Sequence, residues 1–290
     1  MSCQVHTLRF RVCAALASSL IWLCLSCPAL AADPNGKDED ETAPYVPNVY
    51  LDYRTSFTVV PPGVLAIGLR ALPRISISSV ASQVMTFDFP LSIDITENFS
   101  LYGGPTTSTS RTDTAPWRQM TLDSWNIGFQ TDVYSQNGGW FPTVTLQSTV
   151  TRTIPESAFS ATFTTTIAEL GYAFDEDETR GLLAGVQYSN TIFDSSLPKV
   201  EPAIVGYVGG YYQWDNNWKV TGRAGVQSFG GAQLLNLTPI QPFTKPIVRL
   251  DLDKLDANYN RVFGVTAEVA WAPKPVFQLV LRTPLYLVKN

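Results

Sequence analysis

Apolar and polar residues alternate at every second position through most of the chain after residue 48. In residues 84–95, VMTFDFPLSIDI, Met85 and Phe87 fall on one face, whereas Thr86 and Asp88 fall on the other. Successive side chains of a β-strand point to opposite sides of its sheet, so this period of two predicts a strand. The pattern returns in residues 123–134 and 218–229. The sequence therefore predicts an all-β protein.

About twelve segments carry this pattern and are candidate strands, and roughly ten to fourteen would fit. They are residues 49–60, 64–78, 84–95, 99–109, 121–134, 142–153, 160–174, 181–193, 200–214, 218–229, 258–272 and 276–288. Strands of soluble proteins average about five or six residues. These segments are longer, and a strand of about ten residues crosses a bilayer at a tilt.

The connections between these segments are of two kinds. Several are short, rich in turn residues and flanked by aromatic residues, namely 94–99, 134–140, 174–179, 214–218 and 271–275. Others are longer and polar, such as residues 103–117 and a large loop near 230–257. Short turns at one end and longer loops at the other, with aromatic residues near the strand ends, are typical of an outer-membrane barrel.

Two all-β architectures fit this alternation. A soluble β-sandwich also alternates, because each of its sheets has one buried face. A single closed antiparallel transmembrane β-barrel over residues 49–290 is favoured, because the strands are long and aromatic residues lie near the turns, where a membrane interface would place them. Charged residues also lie mid-strand on the polar face, which a water-filled or salt-bridged lumen tolerates.

Three segments resemble the strand–turn–strand units of Gram-negative outer-membrane barrels of the transporter or phenol-degradation-pathway type. They are LSIDITENFSLYGG (91–104), YYQWDNNWKVTGRAGV (211–226) and EVAWAPKPVFQLVLRTPLYLV (268–288). The resemblance implies passage of small molecules, including hydrophobic or aromatic ones, across the outer membrane, and it supplies no catalytic residues. The chain departs from many such barrels because it ends in Leu287-Val288-Lys289-Asn290 rather than in an aromatic residue.

The direction of the last candidate strand conflicts with that architecture. If every short turn faces the periplasm, segment 276–288 runs outward and the C-terminus is extracellular. An even barrel of this type has both ends inside. Either one candidate strand is miscounted or one short turn is external.

The N-terminal segment has the pattern of a secretory signal peptide. Arg9 and Arg11 precede an apolar run, and an A-x-A cleavage pattern ends at Ala31. We expect residues 1–31 to be removed and residues 32–48 to form a flexible acidic segment. A lipid-anchored N-terminus at Cys27 is the less favoured alternative.

This cleavage would remove every cysteine and the only histidine, His6. Ser–His hydrolases, Cys nucleophiles and the usual zinc sites are then excluded, because each needs one of these residues. The sequence predicts no catalytic residue, no metal site and no cofactor, so we expect the protein not to be an enzyme. An enzyme based on carboxylates alone stays open as a third hypothesis.

The polar face of the strands supplies the candidate lumen-lining residues. They are Asp52, Arg54, Arg70, Arg74, Asp88, Asp132, Glu169, Lys219, Arg223, Glu268 and Arg282. Both charge signs are present. The residues can either pair across strands and fill a closed interior, or border a narrow aqueous path.

The first predicted hairpin carries an excess of positive charge. A turn centred on Pro61-Pro62 would set Arg54 across from Arg70 and place Asp52 diagonal to Arg70 and to Arg74. A ladder of cations that attracts anions is one interpretation. Pairing with acids from other strands, such as Asp88, is the favoured one, because a slip of one residue would reverse every side chain.

Two functions follow from the predicted barrel. The first is a porin-like channel or transporter for passive passage of small molecules through the outer membrane of a Gram-negative bacterium. The second is a non-transporting structural or adhesive barrel that acts through external loops, above all the loop near 230–257. The expected partners are outer-membrane lipid, the barrel-assembly machinery during biogenesis and a small-molecule solute that the sequence does not identify. Without Arg9 and Arg11 the chain has 18 basic and 25 acidic residues, a net charge of −7, so nucleic acid is not expected.

Overall fold

The computed structural model describes residues 47–62, 80–154, 160–196, 198–233, 239–257, 260–271 and 274–288. The strands are β1 (Asn48–Val60), β2 (Ser82–Asp88), β3 (Leu91–Thr96), β4 (Phe99–Thr112), β5 (Thr121–Tyr134), β6 (Thr143–Thr153), β7 (Ala161–Ala173), β8 (Arg180–Phe193), β9 (Lys199–Val200), β10 (Ala203–Gln213), β11 (Trp218–Phe229), β12 (Ala232–Gln233), β13 (Phe243–Leu255), β14 (Arg261–Trp271) and β15 (Pro275–Val288). Among these residues, no helix is long and apolar enough to cross a bilayer.

The main sheet closes on itself and forms an antiparallel barrel. Each strand pairs with its neighbour along the chain, and β1 also pairs with β15, from Val49 opposite Val288 to Val59 opposite Phe277. The sheet has thirteen segments, of which β2 and β3 are successive parts of one strand interrupted at Pro90, so the barrel has twelve strands. The predicted fold class, a closed barrel of about twelve strands, is confirmed. The two-residue strands β9 and β12 pair separately.

The strand count is correct, but the predicted set of strands is not. Residues 243–255, which the sequence analysis placed in the loop near 230–257, form strand β13 between β11 and β14. The candidate strand 64–78 lies outside the described residues. The neighbours of β1 are β15 on one side and β2 with β3 on the other.

Strand β13 also removes the conflict over chain direction. We call the two ends of the barrel the turn end, where β1 begins and β3, β5, β7, β10, β13 and β15 end, and the loop end, where β1, β4, β6, β8, β11 and β14 end. Strand β14 ends and β15 begins at the loop end, whereas the strands flanking the other predicted short turns meet at the turn end. The last strand therefore runs toward the turn end, where β1 begins.

The two faces of the barrel wall differ as the alternation predicts. Outward-facing Ile127 and Val208 expose 56% and 65% of their surface, whereas inward-facing Thr86 and Gln227 expose none. The inward direction is fixed by contacts between strands that are not neighbours. The Tyr102 hydroxyl on β4, for example, hydrogen-bonds Thr149 Oγ1 on β6 at 2.6 Å.

The interior of the loop half is packed with side chains. Three small apolar clusters lie there on the strands from β10 to β15 and on β1, and Phe243 touches two of them. On the wall from β1 to β6 the inward residues of this half are buried hydroxyl and amide residues: Ser56, Thr58, Ser82, Thr86, Thr106, Ser124, Asn126, Thr149 and Thr151. These inward residues of the loop half are therefore shielded from solvent, whereas Lys245 on β13, opposite Gln227, is exposed.

Inward tyrosines lie across glycines of the adjacent strand. Tyr207 on β10 is directly opposite Gly185 on β8, and a Cβ added to Gly185 would lie 2.5 Å from the tyrosine ring. The Tyr207 hydroxyl then donates to Glu169 Oε2 at 2.7 Å. The glycine leaves the space that allows the ring to lie flat against the wall and reach Glu169.

Gly185→Ala should therefore displace the Tyr207 ring and break its hydrogen bond with Glu169. We expect a loss of about 1–3 kcal/mol in the free energy of unfolding, because an inserted methyl group in a packed interior forces side chains out of their preferred conformations. Thermal unfolding in detergent measures it. Gly206→Ala is the matched control, since a Cβ at Gly206 meets open space. Equal losses for the two variants would contradict this account.

Candidate functional site: a charged vestibule at the turn end

Charged side chains gather on the inner wall of the turn half of the barrel. Asp251 on β13 is at the centre, because it receives Arg223 Nη1 at 3.1 Å, Arg249 Nη2 at 2.9 Å and Arg282 Nη2 at 3.2 Å. Thr266 Oγ1 adds a hydrogen bond at 2.5 Å. One carboxylate thus binds three guanidinium groups and one hydroxyl.

Further acids extend the cluster on both sides. Glu169 lies 3.1 Å from Arg223 Nε, and Glu268 lies 3.6 Å from Arg249 Nη1. Asp253 binds Arg282 at 3.1 Å and Arg261 at 2.8 Å. We call these residues the ion-pair cluster: Glu169, Arg223, Arg249, Asp251, Asp253, Arg261, Glu268 and Arg282. Four carboxylates therefore face four guanidinium groups, and the cluster is electrically neutral.

A cavity of about 610 Å³ lies against this cluster. Its wall is the ion-pair cluster without Glu268, together with Gln213, Lys219, Thr221 and Leu255. Its rim includes Glu176, Asp177 and Glu178 from the connection between β7 and β8. A second cavity of about 240 Å³ shares Lys219 and Arg223 with it. We call the two cavities together the vestibule, and it lies at the turn end of the barrel.

Lys219 is the one lining cation that joins no ion pair among the described residues. Its ammonium group lies over the ring of Tyr211, 4.4 Å from the ring centroid. An ammonium over an aromatic face is stabilised by the ring quadrupole. Because the neighbouring cluster is neutral, Lys219 gives the inner wall of the vestibule a net positive charge, while the acidic rim is negative.

At the rim of the vestibule, the turn after β7 is held by Asp175. Its carboxylate accepts hydrogen bonds from the Thr179 hydroxyl and from the Thr179 amide, the latter at 2.8 Å. The hydroxyl bond, followed by the weaker amide bonds, lowers the pKa of Asp175 below its ordinary value. The stability that this carboxylate contributes is present above its unfolded pKa and is lost as pH falls through its lowered, folded pKa.

The structure brings together five of the eleven residues that the sequence analysis proposed as lumen-lining. Glu169, Lys219, Arg223, Glu268 and Arg282 belong to the vestibule wall or the ion-pair cluster. Asp132 is separate and accepts a hydrogen bond from Thr145 at 2.6 Å. Asp88 accepts one from Thr106 at 2.6 Å. Arg70 and Arg74 lie outside the described residues.

The predicted pairing within the first hairpin is wrong. Arg54 on β1 lies directly opposite Asp88 on β2 and opposite Arg282 on β15, and its Nη2 is 3.5 Å from Asp52 Oδ2. The position across from Arg54 that was predicted for Arg70 is occupied by Asp88. Arg54 therefore forms an ion pair with Asp52 of its own strand and has Asp88 opposite it. The interpretation that the cations pair with acids of other strands stays a prediction, because Arg70 and Arg74 lie outside the described residues.

Sequence reasoning missed the central residues of the site, Arg249, Asp251 and Asp253, together with Arg261 on β14. The first three lie on β13, which had been assigned to a loop. A signal was present, because Val248, Leu250 and Leu252 alternate with the three charged residues. Among the described residues, no group of three or more His, Cys, Asp or Glu side chains is arranged to hold a metal ion.

No protein-family model and no curated protein matches the chain. Of solved structures, an outer membrane channel from Pseudomonas putida F1 superposes with a TM-score of 0.52 at 13% sequence identity, over 89% of this chain and all of that one. The translocator domain of the autotransporter NalP from Neisseria meningitidis gives a TM-score of 0.40 at 12% identity, over 84% of this chain and 90% of the other. The protein has the barrel fold of the first of these structures.

Asp251→Asn should destabilise the barrel strongly. The substitution leaves three guanidinium groups with one carboxylate fewer, and removing one partner of a buried ion pair costs about 3–5 kcal/mol. Thermal unfolding in detergent measures the loss. The control is Asp194→Asn, which breaks the exposed pair of Asp194 with Arg152 Nη1, 2.7 Å apart, and should have a much smaller effect. A loss for Asp251→Asn no larger than for the control would show that the cluster does not stabilise the fold.

Proposed function

We propose that the protein is an outer-membrane β-barrel that passes small molecules through a channel, which is closed at its loop end in this conformation. The observation that carries the proposal is that the closed sheet has an apolar outer face and a polar or charged inner face, with a vestibule at one end. The closure of the sheet supports a membrane location. In lipid no water can hydrogen-bond the backbone N–H and C=O groups of an edge strand, so every strand of a spanning sheet must pair with two neighbours.

Aromatic side chains at the turn end support the same location. Trp140 exposes 85% of its surface, and Tyr134, Phe141, Phe174 and Trp214 are also exposed there. Indole and phenol rings favour the boundary between acyl chains and headgroups. The solved channel from Pseudomonas putida F1 has the same fold, which agrees with the proposal without identifying a solute. The proposal assigns no enzymatic role to the protein.

The packed loop half is the part that would have to open. The ring of Phe243 lies 5.3 Å from that of Phe229, and Phe243 also packs against the cluster of Val60 and Val276. Phe243 thus joins two apolar clusters across the interior. A constriction of apolar side chains is a known form of channel gate, because water leaves it readily.

A buried amide indicates that this closed packing carries a cost. Gln227 exposes none of its surface, and neither side-chain amide atom has a hydrogen-bond partner among the described residues. It lies directly opposite Val205, which is 1% exposed. A buried amide without partners costs about 1–3 kcal/mol. Opening of the loop half would hydrate Gln227 and recover this energy.

Conductance of the reconstituted protein in a planar bilayer tests the channel and its gate together. We expect discrete current steps, and Phe243→Ala should raise the open probability several-fold, because it separates the two apolar clusters. The control is Phe277→Ala, which removes an outward ring that is 52% exposed and should leave the current unchanged. Retention of the heat-dependent shift in electrophoretic mobility would show that both variants are folded.

Gln227→Met should act in the opposite direction. Methionine has a similar length and no polar atoms to desolvate, so the closed state is stabilised and the open probability in the same recordings should fall by a factor of about five or more, corresponding to about 1 kcal/mol. The matched control is Gln187→Met, since Gln187 is equally buried but donates a hydrogen bond to Ser189 at 3.3 Å. An unchanged open probability for Gln227→Met would show that the Gln227 amide does not affect the equilibrium between the closed and open states.

The packed interior also favours one alternative, a barrel that conducts nothing and acts through its external loops. The loop available to it is shorter than the sequence analysis assumed, because residues 243–255 belong to the wall. Stable insertion into the bilayer with no current from the wild type or from Phe243→Ala would favour this alternative. Under either function the expected partners are outer-membrane lipid and the barrel-assembly machinery.

A further inference from the structure

Two arginines at the loop end of the outer wall form a patch with no acidic partner. Arg111 ends the outward face of β4, and Arg118 lies in the connection to β5. Both are exposed, and neither forms an ion pair with any residue that the structure describes. Of the other described cations at this end, Arg152 pairs with Asp194 and Lys199 with Glu201. Lys274 donates to the Pro62 carbonyl, and Lys245 lies on the inward face of β13.

Backbone and side-chain contacts hold these two arginines close together. The Arg118 amide donates to Ser110 O at 2.9 Å, and Thr109 Oγ1 donates to Arg118 O at 2.5 Å, so residue 118 lies beside the end of β4. The Arg111 guanidinium lies 5.3 Å from the ring centroid of Trp117, and its Nε donates to Gln83 Oε1 at 2.8 Å. Arg111 is thus positioned by two contacts that leave its terminal Nη atoms unused.

The wall next to the arginines carries hydroxyls on β4 and apolar side chains beside them. Next to Arg111 the outward face of β4 carries the hydroxyls of Thr107 and Thr109, opposite Phe87 and Met85 of β2. Beside it, the outward residues of β5 and the preceding connection are large and apolar: Trp117, Met120, Leu122 and Trp125, between 40% and 49% exposed. The outward face of β4 therefore passes from a cation to hydroxyls toward the middle of the wall, and a strip of apolar side chains lies beside it.

We propose that this surface, which we call the arginine rim, binds the phosphorylated glycolipid of the outer leaflet. Its acyl chains would lie on Leu122 and Trp125, and its phosphate would receive charge-assisted hydrogen bonds from the free Nη atoms of Arg111 and from Arg118. Guanidinium groups suit phosphate because their N–H groups form a planar fork. The inference assumes that the barrel spans the outer membrane as proposed above, but it does not require that the barrel conducts.

The charge at the two ends of the barrel agrees with this assignment. Asp113 and Asp123 lie near the arginine rim in the chain, but neither forms an ion pair with Arg111 or with Arg118 among the described residues. The turn end carries the acidic run Asp175-Glu176-Asp177-Glu178, which would repel an anionic headgroup. An anionic lipid is therefore favoured at the loop end.

Binding of fluorescent lipopolysaccharide to the full-length mature barrel in detergent tests the proposal. Arg111→Gln with Arg118→Gln should weaken binding at least ~10-fold, because two charge-assisted contacts are lost. The matched control is Lys254→Gln, which removes a cation 5.7 Å above the Trp218 ring at the turn end and should bind as the wild type does. Asp113→Asn should bind at least as tightly as the wild type.

Three further binding measurements distinguish recognition of the phosphate from other causes of glycolipid binding. Dephosphorylated glycolipid should bind the wild type as weakly as intact glycolipid binds the double variant. Equal affinity for intact and dephosphorylated glycolipid would overturn the proposal, as would equal affinity for phosphatidylglycerol micelles or full displacement by millimolar inorganic phosphate. The double variant could insert into vesicles, keep its heat-dependent mobility shift and still bind glycolipid as the wild type does. That result would refute glycolipid binding at the arginine rim but not the membrane barrel. Failure of the wild type to insert refutes the proposed membrane barrel instead.

Discussion

The pairing of β1 with β15 is the constraint on which the rest of the structure depends. It joins the two ends of the sheet over a long antiparallel register, from Val49 opposite Val288 to Val59 opposite Phe277. A sheet with open edges would leave rows of backbone N–H and C=O groups without partners, and closure removes both edges. Closure also gives the wall an inside and an outside, so the alternation along each strand becomes a separation between an apolar surface and a polar interior.

That separation explains why an interior can hold so many charges. Removing a carboxylate or a guanidinium group from water costs several kcal/mol, and the cost is offset only when partners and hydrogen bonds are well placed. Asp251 meets this condition with three arginines and Thr266, all on strands β11, β13, β14 and β15. Because these contacts cross neighbouring strands, a slip of register by one residue would separate them. The cluster therefore fixes the register of this part of the wall as well as lining the vestibule.

How much could be predicted from the sequence depended on whether the alternation was unbroken. Strands β5 and β11 begin and end at the predicted residues 121–134 and 218–229, because apolar and polar positions alternate there without interruption. Strand β13 was missed because it contains Pro246 and because the inward residues of its second half, Arg249, Asp251 and Asp253, are all charged, which makes the segment resemble a polar loop. Its omission also misplaced the turn near 271–275, since one missing strand reverses the direction of those that follow.

Contacts between distant strands could not be read from the chain at all. The first hairpin was predicted from sequence proximity, whereas the closed sheet places Asp88 and Arg282 on the two sides of Arg54. The alternation of apolar and polar residues also cannot show where the Tyr207 ring lies in the interior, because that position depends on Gly185 in the neighbouring strand.

The division of the interior into two halves links the fold to the proposed gate. The ion-pair cluster joins β7, β11, β13, β14 and β15 in the turn half by contacts that need correct geometry, and a neutral cluster gains nothing from separation. The loop half is held by apolar contacts around Phe243, which tolerate small displacements, and it contains the unpartnered amide of Gln227. The energetic cost of rearrangement is therefore lower in the loop half than in the vestibule. The proposed channel would therefore open at its loop end while the charged wall at its turn end keeps its structure.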